Sequence, residues 1–213
     1  TQNNQRRPAV FLDKDGTLIH DVPYNVNPAL IRFLPGTREA VQCLHEAGFQ
    51  LVVITNQSGV ARGYFAEADL AQVEEHLRRR FEAWGARLAG FFYCPHHPDG
   101  SVPIYRTRCV CRKPEPGLLF SAADELNIDL SRSWFVGDIL DDVEAGRRAG
   151  CRTVLVNTGG ETEWVITPRR LPHYITDDLA RAWAGALTLI LIVMGLNAIG
   201  RFIAWKFAPK AGR

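Results

Sequence analysis

The chain has 213 residues and a formal net charge of +2, from 25 basic and 23 acidic residues. This balance argues against a nucleic-acid-binding surface, because such surfaces need a marked excess of clustered basic residues. The short basic run at residues 78–80 falls on the polar side of a predicted helix and indicates a solvated face. The length suits one α/β domain with a core of its own.

Five cysteines are present, and no apolar signal segment precedes the first predicted strand. Both features favour a reducing, cytoplasmic compartment, where clustered cysteines bind metal more often than they form disulfides.

Apolar runs alternate with stretches of helical periodicity, as is typical of a parallel sheet with crossover helices. The pattern predicts a three-layer, Rossmann-like α/β fold. Ligands bind at the carboxyl ends of the strands in such sheets. Strands are predicted at 9–12, 51–54, 88–93, 134–136 and 153–156, and helices at 37–47, 67–84, 117–126 and 142–149.

Polar motifs follow these strands. Asp13 and Asp15, in DKDGT, come directly after the first strand and can share one ion and one substrate. TNQSG, at 55–59, offers a hydroxyl, an amide side chain and backbone N–H groups for phosphate oxygens. An ordinary turn is the alternative for each motif, since Asp-Gly is a common turn pair.

Two further motifs add charge of both signs. CRKP, at 111–114, supplies Arg112 and Lys113, which suit phosphate recognition but could also be solvated loop residues. VGDILDD, at 136–142, supplies three carboxylates after a strand. We expect Asp138 to bind metal, Asp141 to cap the next helix and Asp142 to help hold the site.

Together, in this order, the four motifs resemble those of the haloacid dehalogenase superfamily of phosphotransferases, over roughly residues 8–156. The resemblance implies that Asp13 is the nucleophile and Asp15 the general acid and base. It implies that Thr55 and Lys113 stabilise the transferring phosphoryl group. Magnesium is then expected between Asp13, the backbone carbonyl of Asp15, and Asp138.

A second constellation consists of Cys94 and His96, then Cys109 and Cys111, with spacings C-x-H and C-x-C. Three thiolates and one imidazole suit a closed, structural zinc site in the loop 94–111. His97 is an alternative to His96, although the family pattern favours His96. Free thiols beside an incidental histidine would be the other interpretation.

The strings YCPHHP, CRKPEPG and TNQSGVARG resemble the D-glycero-D-manno-heptose 1,7-bisphosphate 7-phosphatases, which supply heptose for lipopolysaccharide. That resemblance implies a minimal cap and a small phosphosugar substrate, and we expect the protein to be a monomer. The family's usual GDK is changed here, because Ile139 stands where lysine is usual, which bears on substrate identity. The implied substrate contacts are Asp21, Val22, Pro23, Tyr24, Thr55, Asn56, Gln57, Ser58, Arg112 and Lys113.

Other functions fit the motifs less well. Histidinol-phosphate phosphatase, whose family also carries a cysteine-rich loop, is the first alternative, and another small phosphosugar phosphatase is related to it. A non-catalytic phosphosugar binder would not need the full set of acidic and basic residues. A phosphoryl transferase would need a larger cap to exclude water, and a DNA 3′-phosphatase would need a basic groove.

The sequence divides into a phosphatase domain at 1–178 and an apolar tail at 179–213. Residues 182–200 carry no charge, and basic residues follow them. This segment is long enough to span a bilayer, so the tail is a candidate for membrane association. A helix packed on the domain, or a tail that is foreign to the enzyme, is the alternative.

Overall fold

The computed structural model describes residues 6–177. Alternating apolar runs in this range form a parallel sheet, and the amphipathic stretches between them form helices. The strands are β1 (Ala9–Leu12), β2 (Gln50–Asn56), β3 (Leu88–Cys94), β4 (Trp134–Gly137), β5 (Arg152–Val156) and β6 (Tyr174–Thr176). The helices are α1 (Thr37–Glu46), α2 (Gly59–Arg62), α3 (Leu70–Ala83), α4 (Gly117–Glu125) and α5 (Leu140–Arg148).

All six strands lie in one sheet, in the order β3-β2-β1-β4-β5-β6, and every neighbouring pair is parallel. The central strand β1 pairs with β2 on one side and with β4 on the other. The strands that directly follow β1 in the chain, β2 and β3, lie on one side of it, and the later strands lie on the other side. The loops that follow the strands on either side of β1 therefore diverge at this point. This topological switch point is where open α/β sheets form their ligand crevice.

Side chains of β1 alternate between two apolar layers. Val10 and Leu12 pack with residues of α1 and α3, whereas Ala9 and Phe11 pack with residues of α4 and α5. Because successive strand residues point to opposite faces, a fully apolar strand requires helices on both sides. The observed fold is the predicted three-layer α/β arrangement.

The cap is minimal, as predicted. Between β1 and α1 the structure places only a loop with one 3₁₀ turn, at Pro28–Leu30. The region between β3 and α4, residues 95–116, likewise contains a single 3₁₀ turn, at Pro103–Tyr105. The predicted active-site edge of the sheet is therefore covered by loops.

Three sequence-based details need correction. The strand β6 was not predicted, and the predicted helix at 67–84 begins with a 3₁₀ turn, Glu67–Asp69, before α3. Asp141 does not cap α5, because Ile139 holds the N-cap position, and the Asp141 carboxylate instead pairs with Arg170 at 2.8 Å.

Within residues 6–177, no helix is long and apolar enough to cross a membrane. The predicted apolar tail at 179–213 lies outside the described residues.

Candidate active site

Four buried ionisable side chains meet at the carboxyl edge of the sheet: those of Asp13, Asp138, Asp142 and Lys113. Asp13 follows β1, and its backbone N–H donates to the Val136 carbonyl of β4 at 2.9 Å. Asp138 follows β4, and Lys113 comes from the loop between β3 and α4. The Lys113 ammonium donates to the Asp13 carboxylate and pairs with Asp142 at 2.6 Å.

Burial and charge crowding shift the pKa values of these groups. Burial raises the pKa of Asp13 well above its usual value; the Lys113 ammonium lowers this pKa, and the neighbouring carboxylates, Asp142 first, raise it again. Burial, together with the Asp142 charge, raises the pKa of Asp138 to about 7. Burial disfavours the charged form of Lys113 and by itself would lower its pKa. The charges and hydrogen bonds of Asp13 and Asp142 together outweigh this effect, so the pKa of Lys113 is raised.

Asp15 lies beside this cluster and is held from two sides. Lys14, which is buried, donates to one Asp15 oxygen at 2.6 Å, and Gln57 donates to the other at 3.2 Å. The Gln57 amide also donates to the Thr55 hydroxyl at 2.9 Å. The DKDGT and TNQSG motifs are thus joined directly by side chains, which fixes the Asp15 carboxylate at the cavity wall.

Asn56 was predicted to contact substrate, and its amide is engaged with the protein backbone. It donates to the Lys113 carbonyl at 3.2 Å and accepts from the Lys113 N–H at 3.1 Å. This reciprocal pair fastens the Lys113 loop to the end of β2. Asn56 therefore helps to deliver the Lys113 ammonium to Asp13.

A cavity of about 440 Å³ opens above these groups. A second cavity of about 290 Å³ adjoins it and shares Asp15, Asp21 and Asn56 with the first. Neither Val22 nor Arg112 is among the residues that line these two cavities. The remaining predicted substrate residues line one cavity or both: Asp21, Pro23, Tyr24, Thr55, Asn56, Gln57, Ser58 and Lys113.

The acidic residues fit a divalent cation. Oxygens of Asp13, Asp138 and Asp142 lie within 4.8 Å of one another, and all three residues are buried. Three carboxylates against one ammonium leave a formal charge of −2 when all are ionised, which a divalent ion would balance. Carboxylate oxygens in this number are the ligands that hard cations prefer.

The second predicted metal cluster is also assembled. The sulfurs of Cys94, Cys109 and Cys111 are 3.1–3.5 Å apart, and the His96 Nδ1 lies 3.4 Å from Cys111 Sγ and 3.7 Å from Cys94 Sγ. Ligands about 2.3 Å from a tetrahedral ion would be about 3.8 Å apart, a few tenths of an ångström wider than the sulfur separations here. The hydrogen bond that Cys94 and Cys111 share lowers the pKa of Cys111 to about 5 and raises the pKa of Cys94, so Cys111 is the thiol of this pair that ionises first.

His97, the alternative to His96, is directed elsewhere. Its Nε2 lies 3.2 Å from an Arg62 nitrogen, and its Nδ1 accepts the Asp99 N–H at 3.1 Å. The structure therefore groups His96, and not His97, with the three thiols.

Several residues near the site were not predicted from the sequence. Thr17 donates to Asp138 at 3.2 Å, and His20 lines the larger cavity. The turn Thr158, Gly159 and Gly160 lines the same cavity. This turn follows β5, so the rule that polar turns after parallel strands form the site could have found it.

The comparisons with known proteins agree with this geometry. Residues 110–182 match the model of the HAD-hydrolase-like family, HAD being haloacid dehalogenase. The D-glycero-β-D-manno-heptose-1,7-bisphosphate 7-phosphatase of Yersinia pestis is 45% identical over 171 residues, covering 76% of this chain and 91% of that protein. The enzyme of the same name from Escherichia coli K12 is 46% identical over 153 residues, covering 71% of this chain and 80% of that protein.

Solved structures extend the likeness to the fold. The D,D-heptose 1,7-bisphosphate phosphatase from B. bronchiseptica, complexed with magnesium and phosphate, superposes with a TM-score of 0.69 at 32% identity. That alignment covers 85% of this chain and 98% of the other. The D,D-heptose 1,7-bisphosphate phosphatase from Burkholderia thailandensis gives a TM-score of 0.56 at 30% identity, covering 85% of this chain and 99% of that one.

The parallel sheet, the acidic cluster after β1 and β4, and the buried lysine define a hydrolase of the HAD type. Within that class, the chain belongs to the family of the heptose 1,7-bisphosphate 7-phosphatases. It is therefore a phosphatase, and the resemblance noted in its motifs is confirmed.

Proposed function

We propose that this enzyme removes the 7-phosphate of D-glycero-D-manno-heptose 1,7-bisphosphate through a phospho-aspartate intermediate on Asp13. The observation that carries the mechanism is the buried contact of Asp13 with the Lys113 ammonium beside Asp138. The substrate is supported by relatives of that name at 45% and 46% identity.

In the first step an Asp13 oxygen attacks the phosphorus atom. The bond between phosphorus and the C7 oxygen breaks, and Asp15 gives its proton to the departing oxygen. In the second step water attacks the phosphorus, Asp15 takes the water proton, and inorganic phosphate leaves Asp13 free. Splitting hydrolysis into two displacements lowers the barrier of each.

Lys113 and Thr55 would stabilise the three phosphoryl oxygens during both steps. An anionic carboxylate approaches an anionic phosphate poorly, and the buried ammonium offsets that repulsion in a site of low polarity. Asp142 and Asn56 hold Lys113 in place, through the 2.6 Å ion pair and the reciprocal backbone bonds.

Magnesium fits the acidic cluster. Asp13, Asp138 and the backbone carbonyl of Asp15 would hold it, while Asp142 stays paired with Lys113. When bound, the ion would neutralise charge on the substrate phosphate and fix its orientation. The complex of the B. bronchiseptica relative with magnesium and phosphate supports this choice.

Structural zinc fits the cluster of Cys94, His96, Cys109 and Cys111, whose ligand atoms all lie within 4.8 Å of one another. Residues 95–116 contain one 3₁₀ turn, and the apolar side chains of Ile104 and Val110 in this loop are exposed. A metal bound by the cluster would therefore stabilise the fold of this loop. Because Arg112 and Lys113 directly follow Cys111, the zinc site would also position both basic side chains.

The heptose would lie in the second cavity, where the predicted contacts Asp21, Pro23 and Tyr24 face Gln57 and Ser58. Burial, with the charge of Asp15, raises the pKa of Asp21. Val22 and Arg112 line neither of these cavities and stay predicted substrate contacts. Ile139 lines the larger cavity and offers no charge to a phosphate.

We also propose that residues 1–178 form the phosphatase domain, and that it acts as a monomer in the cytoplasm, in the supply of lipopolysaccharide precursors. Five cysteines without disulfides in the structure are consistent with a reducing compartment. Truncation after Asp178 should retain turnover. If the tail at 179–213 contacts a membrane, truncation should also remove any need for detergent.

The test of the proposed function is phosphate release with magnesium from heptose 1,7-bisphosphate and from histidinol phosphate. We expect a preference of about 100-fold or more for the bisphosphate in kcat/KM, which corresponds to about 2.7 kcal/mol of transition-state binding. Equal or reversed rates would reject the heptose assignment and leave the phospho-aspartate mechanism standing. No release from either substrate would reject the heptose assignment and direct attention to other phosphosugars, and then to a non-catalytic phosphosugar binder.

A further inference from the structure

The turn after β5, residues 158–161, crosses the carboxyl edge of the sheet and reaches the DKDGT loop. The Thr158 hydroxyl donates to the Gly16 carbonyl at 2.9 Å. This bond joins two loops that are 142 residues apart in the chain. The turn is therefore fastened to the loop that follows Asp13 and Asp15.

Two glycines of these loops enclose one oxygen of Asp138. A Cβ atom added at Gly160 would lie 2.0 Å from Asp138 Oδ2, and one added at Gly16 would lie 2.1 Å from it. Thr17 donates to the other carboxylate oxygen at 3.2 Å. The Asp138 carboxylate is thus confined on both sides by backbone and restrained by one hydroxyl.

The same turn also caps α5, the helix that begins just after Asp138. Ile139 at the N-cap position has no side-chain acceptor, and Glu161 supplies one from outside the helix. A Glu161 oxygen accepts the Leu140 N–H at 2.6 Å. Capping and the favourable interaction of an anion with a helix N-terminus both stabilise this junction.

A second contact, made by Arg170, holds the segment between the turn and β6 against α5. Arg170 donates to Asp141 at 2.8 Å and lies 3.6 Å from Glu144. The connection between β5 and β6 is therefore attached to α5 at two places. This anchoring would keep Gly160 against Asp138.

We propose that residues 158–161 form a positioning segment that fixes the Asp138 carboxylate in the orientation needed to bind magnesium. The inference rests on the proposed role of Asp138 as a magnesium ligand. Thr158, Gly160 and Glu161 act through Asp138 and are positioning residues. Loss of such outer contacts typically weakens metal binding by about 10- to 100-fold.

The sharpest variant is Gly160→Ala, because Gly160 does not adopt the left-handed backbone conformation and the added methyl meets the Asp138 carboxylate. Calorimetric titration of magnesium-depleted protein, without substrate, should show at least about 10-fold weaker magnesium binding. The magnesium concentration for half-maximal activity should rise by a similar factor. At saturating magnesium, kcat should largely recover, whereas a merely misfolded site would not recover.

Two milder substitutions guard against a folding defect. Thr158→Val removes the bond to Gly16 and should weaken magnesium binding, and Thr158→Ser should restore it. Glu161→Ala removes the α5 cap and should weaken binding, whereas Glu161→Gln, which keeps an acceptor, should rescue part of it. Glu163→Ala is the matched control, because Glu163 is exposed in the same loop. Its hydrogen bond to Glu161 comes from its backbone N–H, which the substitution keeps.

The outcomes separate this inference from the proposed function. Weaker magnesium binding in Gly160→Ala and Thr158→Val, with Thr158→Ser and Glu163→Ala near wild type, supports the positioning segment. Wild-type affinity in both Gly160→Ala and Thr158→Val overturns it and leaves the function intact. If the wild-type protein neither binds magnesium nor releases phosphate, the proposed function and the inference both fail.

Discussion

Two regions of the molecule deliver the charged groups of the site, and they are built in different ways. Asp13 and Asp138 follow adjacent parallel strands whose residues are almost completely buried. Lys113 comes from a loop, residues 95–116, that has one 3₁₀ turn and is gathered around a cluster of thiols. The positions of the two carboxylates are set by the sheet, whereas the position of the Lys113 side chain is set by side-chain contacts and by the thiol cluster.

Because the two regions are built differently, the role of the carboxylates in the reaction and the role of the loop in positioning Lys113 can be tested separately. Changes to the carboxylates should abolish the reaction while the fold persists. Changes to the cysteine loop should loosen the positions of Lys113 and Arg112 while the sheet persists. The following predictions compare the two regions, beginning with the largest expected effect.

Substitution Asp13→Asn should lower phosphate release by roughly 10⁴-fold or more, because the amide is a poor nucleophile. The variant should fold and still bind substrate, since the side chain keeps its shape and the cluster loses one buried negative charge. Steady-state phosphate release and calorimetric substrate binding measure the two effects. Activity within about 10-fold of wild type would contradict the nucleophilic role.

Substitution Lys113→Met should lower kcat by about 10²- to 10³-fold through loss of charge stabilisation. It should also cost about 3–5 kcal/mol of stability, because Asp142 stays buried without its partner. Adding Asp142→Asn should restore much of the stability but none of the activity. Urea unfolding with parallel assays checks this, and joint recovery of both properties would mean that Lys113 is only structural.

Substitution Cys111→Ser, which removes one ligand of the proposed zinc site, should lower kcat at saturating magnesium by about 10- to 100-fold. Hydrogen exchange should become faster in residues 95–116 and stay slow in β1 and β4. Cys43→Ser is the matched control, since Cys43 lies on α1 outside the cluster. Uniformly faster exchange across the sheet would show that the loop and the sheet do not act separately.

The two metal sites should differ in their pH dependence. Asp138, whose pKa is raised to about 7 by burial first and by Asp142 second, must lose its proton to bind magnesium. Magnesium affinity should therefore fall as pH drops below about 7, by up to about 10-fold per pH unit for one released proton. Asp142→Asn should shift this fall to lower pH.

Zinc should be retained to lower pH, because three soft thiolate ligands and an imidazole bind it strongly enough to displace thiol protons. Titrations of both metals between pH 8 and pH 5 compare the sites directly. Loss of both metals over the same pH range would contradict the difference between them.

The smallest effect is expected at Ile139. Ile139→Lys introduces a cation beside the larger cavity and should lower KM for a bisphosphate substrate by less than about 10-fold, as a partly exposed charge contact would. Ile139→Met, which has no charge, should leave KM unchanged. An equal change in both variants would point to side-chain size as the cause.

The sequence predicts the sheet and the carboxylates well, because buried parallel strands read as short apolar runs and their ends carry the polar groups. It fails at β6, whose three residues are at least partly exposed and form no apolar run. It also fails at Asp141, where the more common capping residue gives way to Glu161, 21 residues away from Leu140. Contacts between distant loops leave no local pattern.

The same limit applies to side-chain partners within the site. The motif TNQSG predicts polar contacts, but it does not predict that Asn56 binds the Lys113 backbone while Gln57 bridges Thr55 and Asp15. These pairings depend on the relative placement of separate loops. Likewise, the cysteine spacing predicts the thiol cluster, but only the fold shows that His97 turns away to Arg62.

The most direct test of the central claim is to trap the phosphorylated enzyme. Wild-type protein would be mixed with labelled heptose 1,7-bisphosphate and magnesium, quenched in acid within one turnover, and reduced with borohydride before peptide mass spectrometry. The account predicts that Asp13 is converted to homoserine, and that neither the label nor the conversion appears in Asp13→Asn. Turnover without protein-bound phosphate, or phosphate on a residue other than Asp13, would contradict it.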